Sequence, residues 1–118
     1  MANEKAVLFI GSNRPLPGHE NDAMKVWYEA KGWYDSLVKD GWATRWDAFF
    51  LTPHGGDMNG AFVLYGDRAK LDELRRTDAW EAWVFRCMTC LEGFGVIPGV
   101  NFAAMHETME RRNKVIGR

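Results

Sequence analysis

The sequence predicts an α+β fold: a four-stranded antiparallel sheet with helices on one face and nothing of its own on the other. Three observations predict it. Strand-length and helical patterns follow one another in the order β-α-β-β-α-β, with one more helix at the end. The strand segments carry bulky residues at intervening as well as alternate positions, which indicates burial on both sides. Only two helices lie between those strands, enough to cover one face.

The first strand is expected over Lys5–Ile10 (K-A-V-L-F-I), ending at Gly11 in a loop of turn formers, S-N-R-P-L-P-G. A helix from Glu20 to Asp40 follows. Glu20 and Asp22 place acid in its first turn, and Gly41 suits the position just past its end. Ala23, Val26, Trp27, Ala30, Trp33, Tyr34, Leu37 and Val38 fall on one arc of about 140°. The second strand is expected over Trp42–Leu51. One of its faces is Trp42, Thr44, Trp46, Ala48 and Phe50; the other is Ala43, Arg45, Asp47, Phe49 and Leu51. Pro53 and the Gly55–Gly56 pair then turn the chain into a third strand, Gly60–Gly66.

Beyond Gly66, Asp67 can cap a short helix containing Leu71 and Leu74. A further helical segment restarts at Asp78, with Glu81 at capping-box spacing. Trp80, Trp83, Val84, Cys87, Met88 and Leu91 form its apolar face. The fourth strand, Leu91–Val100, is rich in glycine. A last helix over about Phe102–Asn113 has only a narrow apolar stripe, which suits packing at an edge or on a partner subunit.

Four six-residue strands spaced about 4.8 Å apart make a sheet that two helices cover once. The second face is expected to expose a few hundred Å² around Phe9 and Phe62, large for a monomer. Burying such a patch is worth on the order of 10 kcal/mol before the costs of association. A second copy packed sheet against sheet is the simplest cover.

The element order, the long first helix, the broken second helix and the two-faced sheet resemble the ferredoxin-like, dimeric α+β barrel superfamily. That group includes antibiotic-biosynthesis monooxygenases, muconolactone isomerases and small bacterial proteins of no assigned function. The run L-T-P-H-G-G-D-M-N-G (Leu51–Gly60) looks most like the last of these. The resemblance covers about residues 5–100 and implies a homodimer with a barrel cavity; it carries over no catalytic residue. The same topology is similar to the RNA-recognition-motif family. Leu8-Phe9-Ile10-Gly11 and Ala61-Phe62-Val63-Leu64-Tyr65 resemble its two strand motifs, with Phe9 and Phe62 as base-stacking residues. Gly60 and Met58 depart from that family where an aromatic and a basic residue are expected, and the net charge of −1 argues against nucleic acid as a partner.

The 118 residues are expected to form one domain, with a core at 5–100 and a helical tail at 101–118. The apolar fraction of 47% is that of a globular chain, and six Trp with seven Phe can serve core, interface or cavity alike. No export signal, lipidation signal (Ala2 excludes myristoylation) or membrane span is read. Two cysteines without an export signal fit a cytoplasmic chain.

Among residues with possible chemistry, Cys87-Met88-Thr89-Cys90 is a C-x-x-C near a helix C-terminus, where the dipole raises the thiol pKa; buried core cysteines are expected. His54, flanked by glycine, is a candidate general base with Asp57 fixing its tautomer; the plain alternative is a solvated turn. Arg45 and Asp47 share a strand face. Lining a cavity, they would supply an anion-binding guanidinium and a desolvated carboxylate base; otherwise they are an ion pair at a sheet edge. Trp46 or Phe62 would pack a ligand ring. His106 and His19 read as packed and loop-exposed, and Arg111, Arg112, Lys114 and Arg118 as solvated helix-end charge. Phosphate-loop, zincin and serine-hydrolase motifs are absent, and no metal or cofactor is implied. The expected function is small-molecule binding in a homodimer; for an enzyme, the resemblance implies cofactor-free isomerase- or monooxygenase-like chemistry, with Asp47 or His54 moving the proton. The alternative is a non-catalytic interaction module.

Overall fold

The computed structural model describes residues 3–117. Met1, Ala2 and Arg118, the last of the basic tail, lie outside the described residues. The elements are β1 (Ala6–Ser12), α1 (Glu20–Lys39), β2 (Arg45–Phe50), β3 (Gly60–Gly66), α2 (Arg68–Arg75), α3 (Asp78–Met88), β4 (Gly95–Val100), one 3-10 turn (Phe102–Ala104) and α4 (Met105–Val115). The strands form one antiparallel sheet in the order β2-β3-β1-β4.

Three strand boundaries differ from expectation by two residues or more, each for a local reason, while the start of β1 and the end of β2 differ by one. β1 runs on to Ser12 because Gly11 and Ser12 pair with Ala61 and Gly60. β2 begins only at Arg45, since the amides of Trp42 and Ala43 turn back to the Leu37 carbonyl and close α1. β4 begins at Gly95 because Leu91 still donates to the Cys87 carbonyl and bridges Pro15. Gly41 ends α1 at φ +85°, a conformation that glycine adopts without strain. The Asp67 side chain caps α2, accepting from the Lys70 amide at 3.2 Å. The cap of α3 is Thr77 rather than Asp78. Thr77 has the extended backbone a cap needs, and its hydroxyl accepts from the Trp80 amide at 3.2 Å.

Register sorts the side chains into two faces. Leu8, Ile10, Leu64, Phe62, Trp46 and Val96 point to the helices and pack with Ala30, Tyr34, Leu37, Leu71, Trp80 and Trp83. The opposite face carries Val7, Phe9, Phe49, Val63, Tyr65 and Ile97, with Arg45 and Asp47 at the β2 edge. Phe49 and Ile97 are 52% and 60% exposed there. Phe9 and Phe62 therefore do not share a face. Phe9 stands opposite Val63 and Ile10 opposite Phe62, so side-chain alternation sends the two rings to opposite sides of the sheet. Among the described residues no helix is long and apolar enough to cross a membrane.

Candidate functional site

The helix-facing aromatics do not fill the space between sheet and helices. A cavity of about 570 Å³ opens at the end of the sheet where β1 and β2 finish and β3 begins. Its walls are Ile10 and Phe62 from the sheet, Val26, Trp27, Ala30 and Tyr34 from α1, and Trp83 and Cys87 from α3. The segment after β2 forms its mouth through Leu51, Pro53, His54, Gly55, Gly56 and Asn59, with Arg14 at the rim. Each wall follows from local sequence. Val26, Ala30 and Tyr34 recur at helical spacing on the buried arc of α1. At β3 a Cβ on Gly60 would stand 2.5 Å from the Phe49 carbonyl oxygen, so glycine is required where the two backbones meet.

The rings of the walls pack against one another. Tyr34 lies 5.1 Å from Phe62 and edge-on to Trp83 at 5.9 Å between centroids; Phe50 meets Trp27 edge-on at 5.9 Å. Trp46 does not line the cavity but stands behind it, 6.0 Å from both Tyr34 and Phe62. Its indole N–H donates to Asp35 at 2.8 Å. Lys31 and then Trp46 hold the Asp35 carboxyl below its ordinary range.

Ser12, Arg14, Asn59, Tyr34 and His54 bring polar side chains to this lining, and Tyr34 and His54 have side-chain hydrogen bonds. The Tyr34 hydroxyl, 1% exposed as a residue, accepts the Trp83 indole N–H at 3.0 Å and donates to no acceptor among the described residues. Burial raises its pKa well above 10, so it remains a donor throughout the neutral range. At the mouth, His54 Nδ1 lies 3.0 Å from the Thr52 carbonyl. A carbonyl can only accept, so Nδ1 carries the hydrogen and Nε2 of the neutral ring keeps its lone pair. The Thr52 carbonyl thus does what the sequence assigned to Asp57, which neither lines the cavity nor pairs with His54 among the described residues. Arg14 is held by its backbone, whose carbonyl accepts from the Glu92 amide at 2.8 Å.

The remaining expected site residues lie elsewhere. Arg45 and Asp47 are on the open face, paired at 2.7 Å, with Arg45 also on Glu4 at 2.9 Å and stacked 3.7 Å over Tyr65. Each side chain is nearly half exposed in the single chain, where the two form an ion pair at the sheet edge outside the helix-side cavity. Phe9 lies on that face too, with Met58 folded beside it over Gly11. Of the named residues, only His54 and Phe62 meet at the cavity. Tyr34 and Arg14 were not singled out by sequence. Cys87 and Cys90 are free and buried, and burial pushes the Cys87 thiol up to about 12. No cluster of metal-binding side chains occurs among the described residues.

Solved structures that share this fold include the following two. A dimeric protein of unknown function and ferredoxin-like fold from Bacteroides fragilis superposes with a TM-score of 0.58 at 10% identity, covering 81% of this chain and 96% of its own. HapK from Hahella chejuensis superposes at 0.56 with 17% identity, covering 81% and 92%. The fold is ferredoxin-like. At these identities the likeness extends to fold alone. No protein-family model and no curated protein sequence matches the chain.

Proposed function

We propose that the chain is a homodimer joined through its open sheet face, and that each subunit holds a small, flat, largely apolar ketone or phenol between sheet and helices. The observation that carries the binding reading is Tyr34: a buried hydroxyl, oriented by Trp83, with a proton and no protein acceptor, facing about 570 Å³ of aromatic-walled space. A guest with one acceptor oxygen satisfies that proton, and a guest without one leaves a buried polar group unpaired. The open face supports the dimer by its exposed Phe49 and Ile97, and the Bacteroides fragilis protein of the same fold is dimeric.

In this reading His54 Nε2 takes a proton from carbon beside the guest's carbonyl. The electron pair moves to the carbonyl oxygen, where Tyr34 donates to the growing enolate. Where the guest carries a carbon–carbon double bond next to that carbon, the charge spreads over a dienolate, and return of the proton to its far carbon shifts the double bond and completes an isomerisation without a cofactor. The RNA-binding alternative loses support because Phe62 faces the helices and Arg45 is tied to Glu4 and Asp47.

Saturation-transfer NMR with a panel of cyclic and aromatic ketones and phenols tests binding, and α-proton exchange in D2O tests chemistry. Tyr34→Phe is expected to weaken binding about tenfold. His54→Ala should retain binding and abolish exchange, while Asp47→Ala leaves both unchanged. A panel that does not bind, or binding lost in Asp47→Ala and kept in Tyr34→Phe, would end the cavity assignment. Binding without exchange identifies a non-catalytic module.

A further inference from the structure

A second cleft, of about 690 Å³, lies on the far side of the molecule between α2, α4 and the outer strand β4. Its floor is apolar, formed by Leu8, Leu71, Pro98 and Val100, with Val115 and Ile116 closing one side. Around that floor stand four guanidinium side chains, Arg68 and Arg75 from α2 and Arg111 and Arg112 from α4. Asp72 is the one acid in the lining, and it sits at the loose distance of 3.9 Å from Arg68.

The two acids of α4 have closer partners than the cluster, and the Glu107 charge also acts on Arg111. On α4, Glu107 is taken by Lys5 at 2.7 Å and Glu110 by His106 at 2.9 Å. Arg75, Arg111 and Arg112 have no ion-pair partner among the described residues. The lining therefore carries an excess of three positive charges on a chain whose net charge is −1, so the bias is local. Like charges gathered from two separate helices repel, and an anion between them reverses the sign of that interaction. Arginine is also the cation whose planar fork matches phosphate and carboxylate oxygens.

We infer that the α2–α4 cleft binds a small amphipathic anion, with a phosphate or carboxylate head held by these arginines and a short hydrocarbon body laid on the Leu71–Pro98 floor. This site is independent of the cavity at Tyr34 and does not rest on that reading. The head alone lacks the floor's contribution, and the body alone leaves the guanidinium cluster unneutralised. Binding must need both.

Isothermal titration of the full chain with octyl phosphate, inorganic phosphate and octanol at low salt tests this. Octyl phosphate is expected to bind at one site per chain, at least about tenfold tighter than either fragment. The exposed pair Arg111→Ala/Arg112→Ala should weaken it about tenfold or more, and Arg75→Ala, on the facing helix, should do so separately. Amide shifts on binding should centre on Gly99 and Thr108 rather than on Gly60 and Ala61 of the first cavity. An alkyl phosphate held no tighter than octanol or phosphate overturns the inference. So does unchanged affinity in both arginine variants, or shifts confined to the first cavity.

Discussion

Trp83 on α3 donates its indole N–H to the hydroxyl of Tyr34 on α1 at 3.0 Å, joining residues 49 positions apart in the interior. The bond occupies one acceptor position of the oxygen and leaves the hydroxyl hydrogen without a protein acceptor among the described residues. It also means that removing the hydroxyl strands the donor. Tyr34→Phe preserves the ring contacts with Phe62 and Trp46, so its effect isolates this bond. The variant should lose about 1–3 kcal/mol, the usual cost of a buried polar group left unpaired. Urea unfolding reads this as a lowered midpoint at unchanged slope; an unmoved midpoint would mean that the indole N–H finds another acceptor.

The same burial makes stability fall in alkali. Cys87 ionises near 9 when unfolded and near 12 in the fold, and Tyr34 is displaced upward from 10. Both folded values are raised, so the folded chain holds protons the unfolded chain has released. The contribution is complete below pH 9 and is lost as pH climbs through 9 to 12. Melting temperature should decline over that window, and Cys87→Ala should flatten the first part of the decline. Correspondingly, iodoacetamide at pH 8 should leave Cys87 unlabelled in the native chain and modify it in urea. Rapid native labelling would refute the burial argument.

The parts of this molecule that follow from local periodicity are legible in the sequence itself. The buried arc of α1, the Asp67 cap, Gly41 and the bounds of β3 depend on neighbours a few residues away, and each is where the pattern puts it. The faces of the sheet are not legible in this way, because they depend on register between strands. Phe9 and Phe62 read as neighbours until pairing of Ile10 with Phe62 separates them. The site is harder still. Tyr34 is one more apolar position on a helical arc, and only Trp83, brought from another helix, reveals what its hydroxyl does. Arg14 sits in a loop without period. His54 is conspicuous for its glycines, but its partner is the Thr52 carbonyl two residues back and not Asp57.

Gly60 ties the cavity floor to the β2 edge. Its missing Cβ would fall 2.5 Å from the Phe49 carbonyl oxygen, and a backbone atom cannot rotate aside as a side chain can. Gly60→Ala should therefore force the two strands apart at the cavity mouth and cost about 1–3 kcal/mol. Hydrogen exchange should rise at the Leu51 amide, which donates to the Asn59 carbonyl at 2.8 Å beside this contact. A variant as stable as the parent, with Leu51 still protected, would show that the strands have slack there.

Phe49 on β2 and Ile97 on β4 stand at opposite edges of the open face, 52% and 60% exposed in the single chain. That exposure makes the proposed dimer testable without damaging the fold. A carboxylate introduced at either position meets water in an isolated subunit and is buried only if a partner covers the sheet. Phe49→Glu/Ile97→Glu should keep the parent's helical circular dichroism and sediment at the mass of one chain, where the parent sediments at two. The cost of desolvating two charges in each subunit exceeds what the rest of such an interface returns. A parent that stays at one chain mass at high micromolar concentration, or a double variant that stays at two, would each remove the sheet-to-sheet dimer. The cavity behind Tyr34, built within one subunit, would survive either result.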